Sequence, residues 1–189
     1  VGEGATISSG PADLGYGSFT PGISIGAGAI SAVDGDPSNE VASFIAGDGS
    51  VFTVDGGEIS LSAEAIQASG ASFSADGFSA FIENAPDLGI TPRDDGGQLS
   101  GNCLEGNACL GTISAPSFIQ VGSGPGSSFG LANTVTIQGA ITSDNTSIRS
   151  RDTLTFGDGS SEFEVNGASS LFLESTLGDV VFNGPVTVT

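Results

Sequence analysis

Residues 157–189 read GDGSSEFEVNGASSLFLESTLGDVVFNGPVTVT. Within them an apolar-x-apolar-Asn-Gly motif occurs twice, as Phe163-Glu164-Val165-Asn166-Gly167 and as Val180-Val181-Phe182-Asn183-Gly184. Alternation before the glycine is the period of a strand with one face buried. Asn-Gly then offers a backbone that tolerates positive φ, so the chain can turn a corner. New short alternations follow each corner, at Leu171 and Leu173 and at Val186 and Val188. Strand, corner, strand leaves little room for a helix.

The same grammar extends through the chain. Phe52-Thr53-Val54-Asp55-Gly56, Ile59-x-Leu61-x-Ala63, Ala71-x-Phe73-x-Ala75 and Phe78-x-Ala80-x-Ile82 alternate, with Gly or polar pairs between most of them. Ser62–Ser69 has the propensity for a two-turn helix, but alternation flanks it and a strand is the better reading. Internal repetition is weak. Gly47-Asp-Gly-Ser…Phe52-x-Val54 parallels Gly157-Asp-Gly-Ser…Phe163-x-Val165, and Val135-x-Ile137-Gln-Gly-Ala-Ile141 parallels Val180-x-Phe182-Asn-Gly-Pro-Val186. The intervals are irregular, as in stacked repeats whose corners vary in length. Residues 84–111 break the pattern with two prolines and several acids. They are expected as a loop excursion from a single β-rich domain spanning 1–189, since long connections are uncommon inside compact domains.

Composition narrows the function classes. The 189 residues include 31 Gly and no Met, Trp or His, and three Lys+Arg face 22 Asp+Glu, a net charge of -19. All three cations are arginines: Arg93, Arg149 and Arg151. Such a chain repels nucleic-acid phosphate and anionic membranes, and no apolar run approaches the roughly 20 residues of a membrane span. No nucleic acid and no membrane insertion are therefore expected. The lack of Met suggests a processed or trimmed product.

Cys103 and Cys109 lie in Gly-Asn-Cys-Leu-Glu-Gly-Asn-Ala-Cys-Leu-Gly. A zinc site would need further ligands, and no His or third Cys exists to supply them. The favoured reading is a local disulfide that pins the 84–111 loop, which implies an extracytoplasmic location. Reduced cytosolic thiols are the alternative. A redox pair is disfavoured, since no neighbouring cation lowers a thiol pKa.

Very short, closely spaced strands with recurrent Asn, Asp, Ser and Gly corners favour an all-β parallel β-helix, a solenoid with irregular coils. The alternative is an antiparallel β-sandwich or jelly roll of a strand-donating filament subunit. A solenoid leaves its end strands unpaired unless they are capped. Val180, Phe182, Val186 and Val188 keep alternating to the last residues, with no capping pattern, and are the expected assembly edge, by pairing with a neighbouring subunit; continuation into further chain is the alternative.

Ser-Thr-Leu-Gly-Asp-Val-Val-Phe-Asn-Gly-Pro-Val-Thr-Val-Thr (175–189) resembles the coils of filamentous haemagglutinin-like surface proteins, especially the long cyanobacterial members. Residues 57–73 and 133–142 are similar to such coils too. The resemblance covers about half the chain and implies a right-handed β-helix, exported across the outer membrane, with adhesive or fibre-forming roles. Residues 84–111 depart from that pattern, and the N-terminus lacks the family's secretion signature.

Catalytic chemistry is thinly supplied. Arg93 with Asp94 and Asp95 is the nearest charge cluster, and it reads as a solvated loop group. Without His, Lys or a nucleophile elbow, acid–base and covalent routes have few candidates, so no enzyme is expected. Asp34, Asp36, Asp94 and Asp95 are the candidate metal ligands. Asp48, Asp55, Asp152 and Asp158 also sit in Gly-rich turns. Ca2+ is the one cofactor these turns could hold, although no EF-hand or nonapeptide pattern is present and turn formation explains them as well. The expected function is a structural subunit of an extracellular fibre or adhesin shaft on the cell surface, joining copies of itself by strand pairing. A glycan-binding or glycan-cleaving β-helix is the alternative, with surface glycans as partners.

Overall fold

The computed structural model describes residues 1–9, 22–26, 43–55, 58–63, 65–76, 87–92, 107–122 and 131–189. All regular structure among them is β-strand, so no helix there is long and apolar enough to cross a membrane. The strands fall into successive groups, here called layers. The first holds β1 (Thr6–Ser9) and β2 (Gly22–Gly26), and the second β3 (Ser43–Ile45), β4 (Val51–Asp55) and β5 (Glu58–Ala63). The third holds β6 (Ala65–Asp76) and β7 (Asp87–Pro92), and the fourth β8 (Asn107–Ser114) and β9 (Phe118–Val121). The fifth comprises β10 (Thr134–Ile137), β11 (Ile141–Thr142) and β12 (Asn145–Ser150), and the sixth β13 (Thr153–Phe156), β14 (Phe163–Asn166) and β15 (Ser170–Ser175). β16 (Val180–Phe182) and β17 (Val186–Val188) form the last.

Each strand pairs with its counterparts in the adjoining layers. β10 lies between β8 and β13, β11 between β8 and β14, and β12 between β9 and β15. The pairings build an 11-stranded sheet and a 6-stranded sheet, and every pair among the described residues is parallel. Parallel neighbours need a crossover between them, and the following strands of each layer supply it. The antiparallel sandwich expected as the alternative is therefore not what these residues form.

Residues 84–111 were expected to leave the core, yet two strands come from them. β7 lies between β5 and β9, and the first residues of β8 pair with both β6 and β10. Pro92, at the end of β7, sits where a missing backbone donor is tolerated. Residues 93–106 lie outside the described residues.

Register stacks apolar residues into rows. Ile66, Ala108, Val135, Leu154 and Val180 are successive partners in one row, and Ala68, Leu110, Ile137, Phe156 and Phe182 in the next. A third runs Phe52, Phe73, Ile113, Ile141, Val165 and Val188. Apart from Val180, Phe182 and Val188, which end the rows exposed, they form one buried cluster with Ile59, Leu61, Ile119, Val121 and Ile148 of the smaller sheet. Aromatic rings reinforce it at two places: Phe52 stacks on Phe73 with centroids 4.9 Å apart, and Phe156 packs against Phe163 at 5.1 Å. Both lie within the range of favourable ring pairs.

Glycines serve the corners in two ways. Gly167 and Gly184, after Asn166 and Asn183, adopt φ of 75° and 126°, as the Asn-Gly reading requires. Gly111 and Gly139 are needed for space instead. A Cβ on Gly139 would lie 2.6 Å from the backbone N of Thr112, and one on Gly111 would lie 2.7 Å from the carbonyl oxygen of Ser69 and overlap that of Ala71.

Candidate functional site

The expected assembly edge is the last layer. β16 pairs only with β13 and β17 only with β14 among the described residues. Asp179 O and Asn183 N bond to β13, and Pro185 O and Thr189 N bond to β14. In a parallel ladder the N–H and C=O of one residue point to the same side and alternate along the strand. Val180, Phe182, Val186 and Val188 therefore direct their backbone groups to the open side.

Their side chains belong to the apolar rows and lie over the layer beneath. Val180 and Phe182 stand beside Leu154 and Phe156, and Val186 and Val188 beside Phe163 and Val165. The Phe182 ring stacks on Phe156 with centroids 5.1 Å apart and 19° between planes. The covered residues are buried, at 0–3% exposure, whereas the four covering residues are 38–54% exposed. The sequence placed these four on one edge, and the structure brings them together there.

Polar groups near this end hold the corners. Asp158, in the Gly-Asp-Gly-Ser turn, accepts hydrogen bonds from Ser160 Oγ (2.7 Å), Ser160 N (2.8 Å) and Ser161 N (3.0 Å). The Ser160 hydroxyl above all, then the two backbone donors, hold its carboxyl below its ordinary pKa of 3.8. Turn formation thus accounts for this aspartate. Thr187 Oγ1 donates to Glu162, and Thr189 Oγ1 donates to Asn166 Oδ1 at 3.0 Å. Arg149 Nε meets Glu174 Oε2 at 2.5 Å across β12 and β15, with side-chain exposures of 6% and 37%.

Asp34, Asp36, Asp94, Asp95 and Cys103 lie outside the described residues. Among the described residues no three His, Cys, Asp or Glu side chains gather into a metal-binding group. Cys109 sits in β8 between Ala108 and Leu110, which hold core positions, yet it is buried too. No free cysteine occurs among the described residues.

One further feature was not anticipated. On the outward face of β9, β12 and β15, Phe118 and Phe172 flank Gln120, Asn145, Ser147 and Ser170 around a groove of about 390 Å³. Phe118 leads into two further apolar residues, Ile119 and Val121. The register turns it outward and buries those two instead. The signal available in the sequence was Leu171-Phe172-Leu173, where the aromatic falls on the polar phase of the strand.

No family model matches the chain, no curated protein matches it, and no solved structure matches it.

Proposed function

We propose that this chain is a structural segment of an extracellular fibre or adhesin shaft, a parallel β-helix that joins end to end by strand pairing. One observation carries the proposal. The last layer presents a row of apolar side chains and two half-paired strands, Val180–Phe182 and Val186–Val188, in continuation of the buried rows. An open strand edge combined with exposed apolar side chains is a template for another strand. The occupant proposed is a second copy, whose first layer would continue the rows in parallel. The resemblance of residues 175–189 to filamentous haemagglutinin-like coils supports the same reading, as does the composition, rich in Gly and without His or Lys. The role is architectural rather than enzymatic, and it places the protein outside the cell.

The test is the state of the purified chain in sedimentation and negative-stain microscopy. Concentration-dependent polymers or filaments are expected. Val188→Pro removes a backbone donor from the open side while leaving the β14 pairing groups in place. Together with Phe182→Lys it should return the protein to monomers. A chain that stays monomeric at every concentration overturns the reading and favours the alternative, a solitary glycan-binding or glycan-cleaving β-helix.

A further inference from the structure

We infer that the groove on the outward face of β9, β12 and β15 is a binding site for an uncharged hexose-based oligosaccharide. The register sets its geometry. Phe118, Asn145 and Ser170 are successive partners across the three strands, and Gln120, Ser147 and Phe172 form the next row. The two rings thus stand at opposite corners of a two-by-three array. With neighbouring strands about 4.7–4.9 Å apart, the strands carrying them are separated by about 9.5 Å. The groove between them, about 390 Å³, lies within the roughly 300–1,000 Å³ of small-ligand sites.

The lining selects the chemistry. An aromatic face is apolar and carries negative charge above the ring, which suits the C–H faces of a pyranose. Phe172 is 43% exposed and free to offer such a face. Between the rings stand side-chain amides and hydroxyls that both donate and accept. The Gln120 amide donates through Nε2 to the Gly122 carbonyl at 2.9 Å, which keeps Oε1 as an acceptor. Ser147 Oγ, in the middle of the array, is shut away from solvent and has no hydrogen-bond partner. A buried hydroxyl in that state is costly, and a rotation of the Ser147 side chain that exposed it would let a sugar hydroxyl seated between the rings satisfy it.

Two observations bear on the occupant. β12 is paired on both sides, by β9 and by β15, so over the middle of the groove recognition comes from side chains, whereas β15 pairs only with β12 among the described residues. The seven lining side chains, Thr146 included, are uncharged, while the chain as a whole carries -19. A uronate or sulfated glycan would meet repulsion without a cation among those seven to offset it.

The inference does not rest on end-to-end assembly, and its test is independent of it. Cellohexaose and mannohexaose are titrated against the intact chain by calorimetry, with hexagalacturonate as the charged comparison. At least one neutral hexasaccharide should bind, and hexagalacturonate should bind at least about tenfold more weakly, a difference readily resolved in Kd. Phe172→Ala should weaken binding by about tenfold or more. Its circular dichroism should match the parent, since the residue lies outside the buried cluster. Gln120→Ala should weaken binding less, and Val188→Pro, which is not part of the groove lining, should leave it unchanged. Failure of both neutral hexasaccharides to bind overturns the inference. So does binding that survives both Phe172→Ala and Phe118→Ala, or a preference for hexagalacturonate.

Discussion

The sixth layer and the last are written in nearly the same residues and differ sharply in environment. Leu154 and Phe156 of the sixth are fully buried or nearly so, whereas Val180 and Phe182, their partners in register, are 39% and 43% exposed. Val165 and Val188 repeat the contrast in the next row, at 2% and 54%. Burial in this molecule is thus conferred by the neighbouring layer rather than by the apolar pattern of a strand. A strand becomes core only when another is laid over it.

That contrast can be broken or sharpened by substitution, and the largest effect should come from a corner of the interior. Gly111→Ala forces a methyl group against the carbonyl oxygens of Ala71 and Ser69. Backbone cannot move aside as a flexible side chain can, so a loss of about 3 kcal/mol or more is expected, at or above the upper end of overpacking costs. Urea unfolding followed by far-ultraviolet circular dichroism measures it. Next, Phe156→Ala should cost about 3–5 kcal/mol, in the range of buried aromatic truncations. Phe182→Ala should cost less than about half of that, because roughly two-fifths of its surface is already wet. Equal losses for the two would show that the last layer is covered in solution. The smallest effect belongs to Asp158→Asn. A carboxyl whose folded pKa is depressed stabilises the fold above its unfolded pKa and loses that contribution as pH falls through the folded value. The parent should therefore lose stability below about pH 4, the region of an ordinary aspartate, and the variant should lose less there. Melting temperatures at several pH values between neutrality and strong acid check this.

Much of the architecture was legible in the sequence because alternation and Asn-Gly corners are local signals. Phe163-x-Val165 and Val180-x-Phe182 are strands, and Gly167 and Gly184 turn with positive φ. The repeat linking Val135-x-Ile137 to Val180-x-Phe182 proved spatial, since both pairs fall in the same two rows through Leu154 and Phe156. Its second half is displaced, for Ile141 stands in the row of Val188 rather than Val186. β7 was missed because Asp-Leu-Gly-Ile-Thr-Pro holds three poor strand formers, and its place is set by β5 and β9 on either side. Gly111 and Gly139 carried no conformational signature, because their need for glycine arises from backbones that approach across layers. Thr146 was unreadable for the same reason: a buried hydroxyl between Ile119 and Leu171 is visible only once the register is known. The aromatic groove likewise joins residues from three layers that no local window contains.

The neighbour-to-neighbour pairing has a consequence for how such a chain can change in length. β10, β11 and β12 make their ladder bonds to the layers on either side, and to no others among the described residues. Excision of one entire layer, or duplication of it, would preserve every remaining ladder in form and merely bring two compatible rows together. Loss of a few residues from within a layer's strands would instead shift all later rows out of phase. Evolution of this architecture should therefore proceed in whole-layer steps, with small insertions confined to the connections.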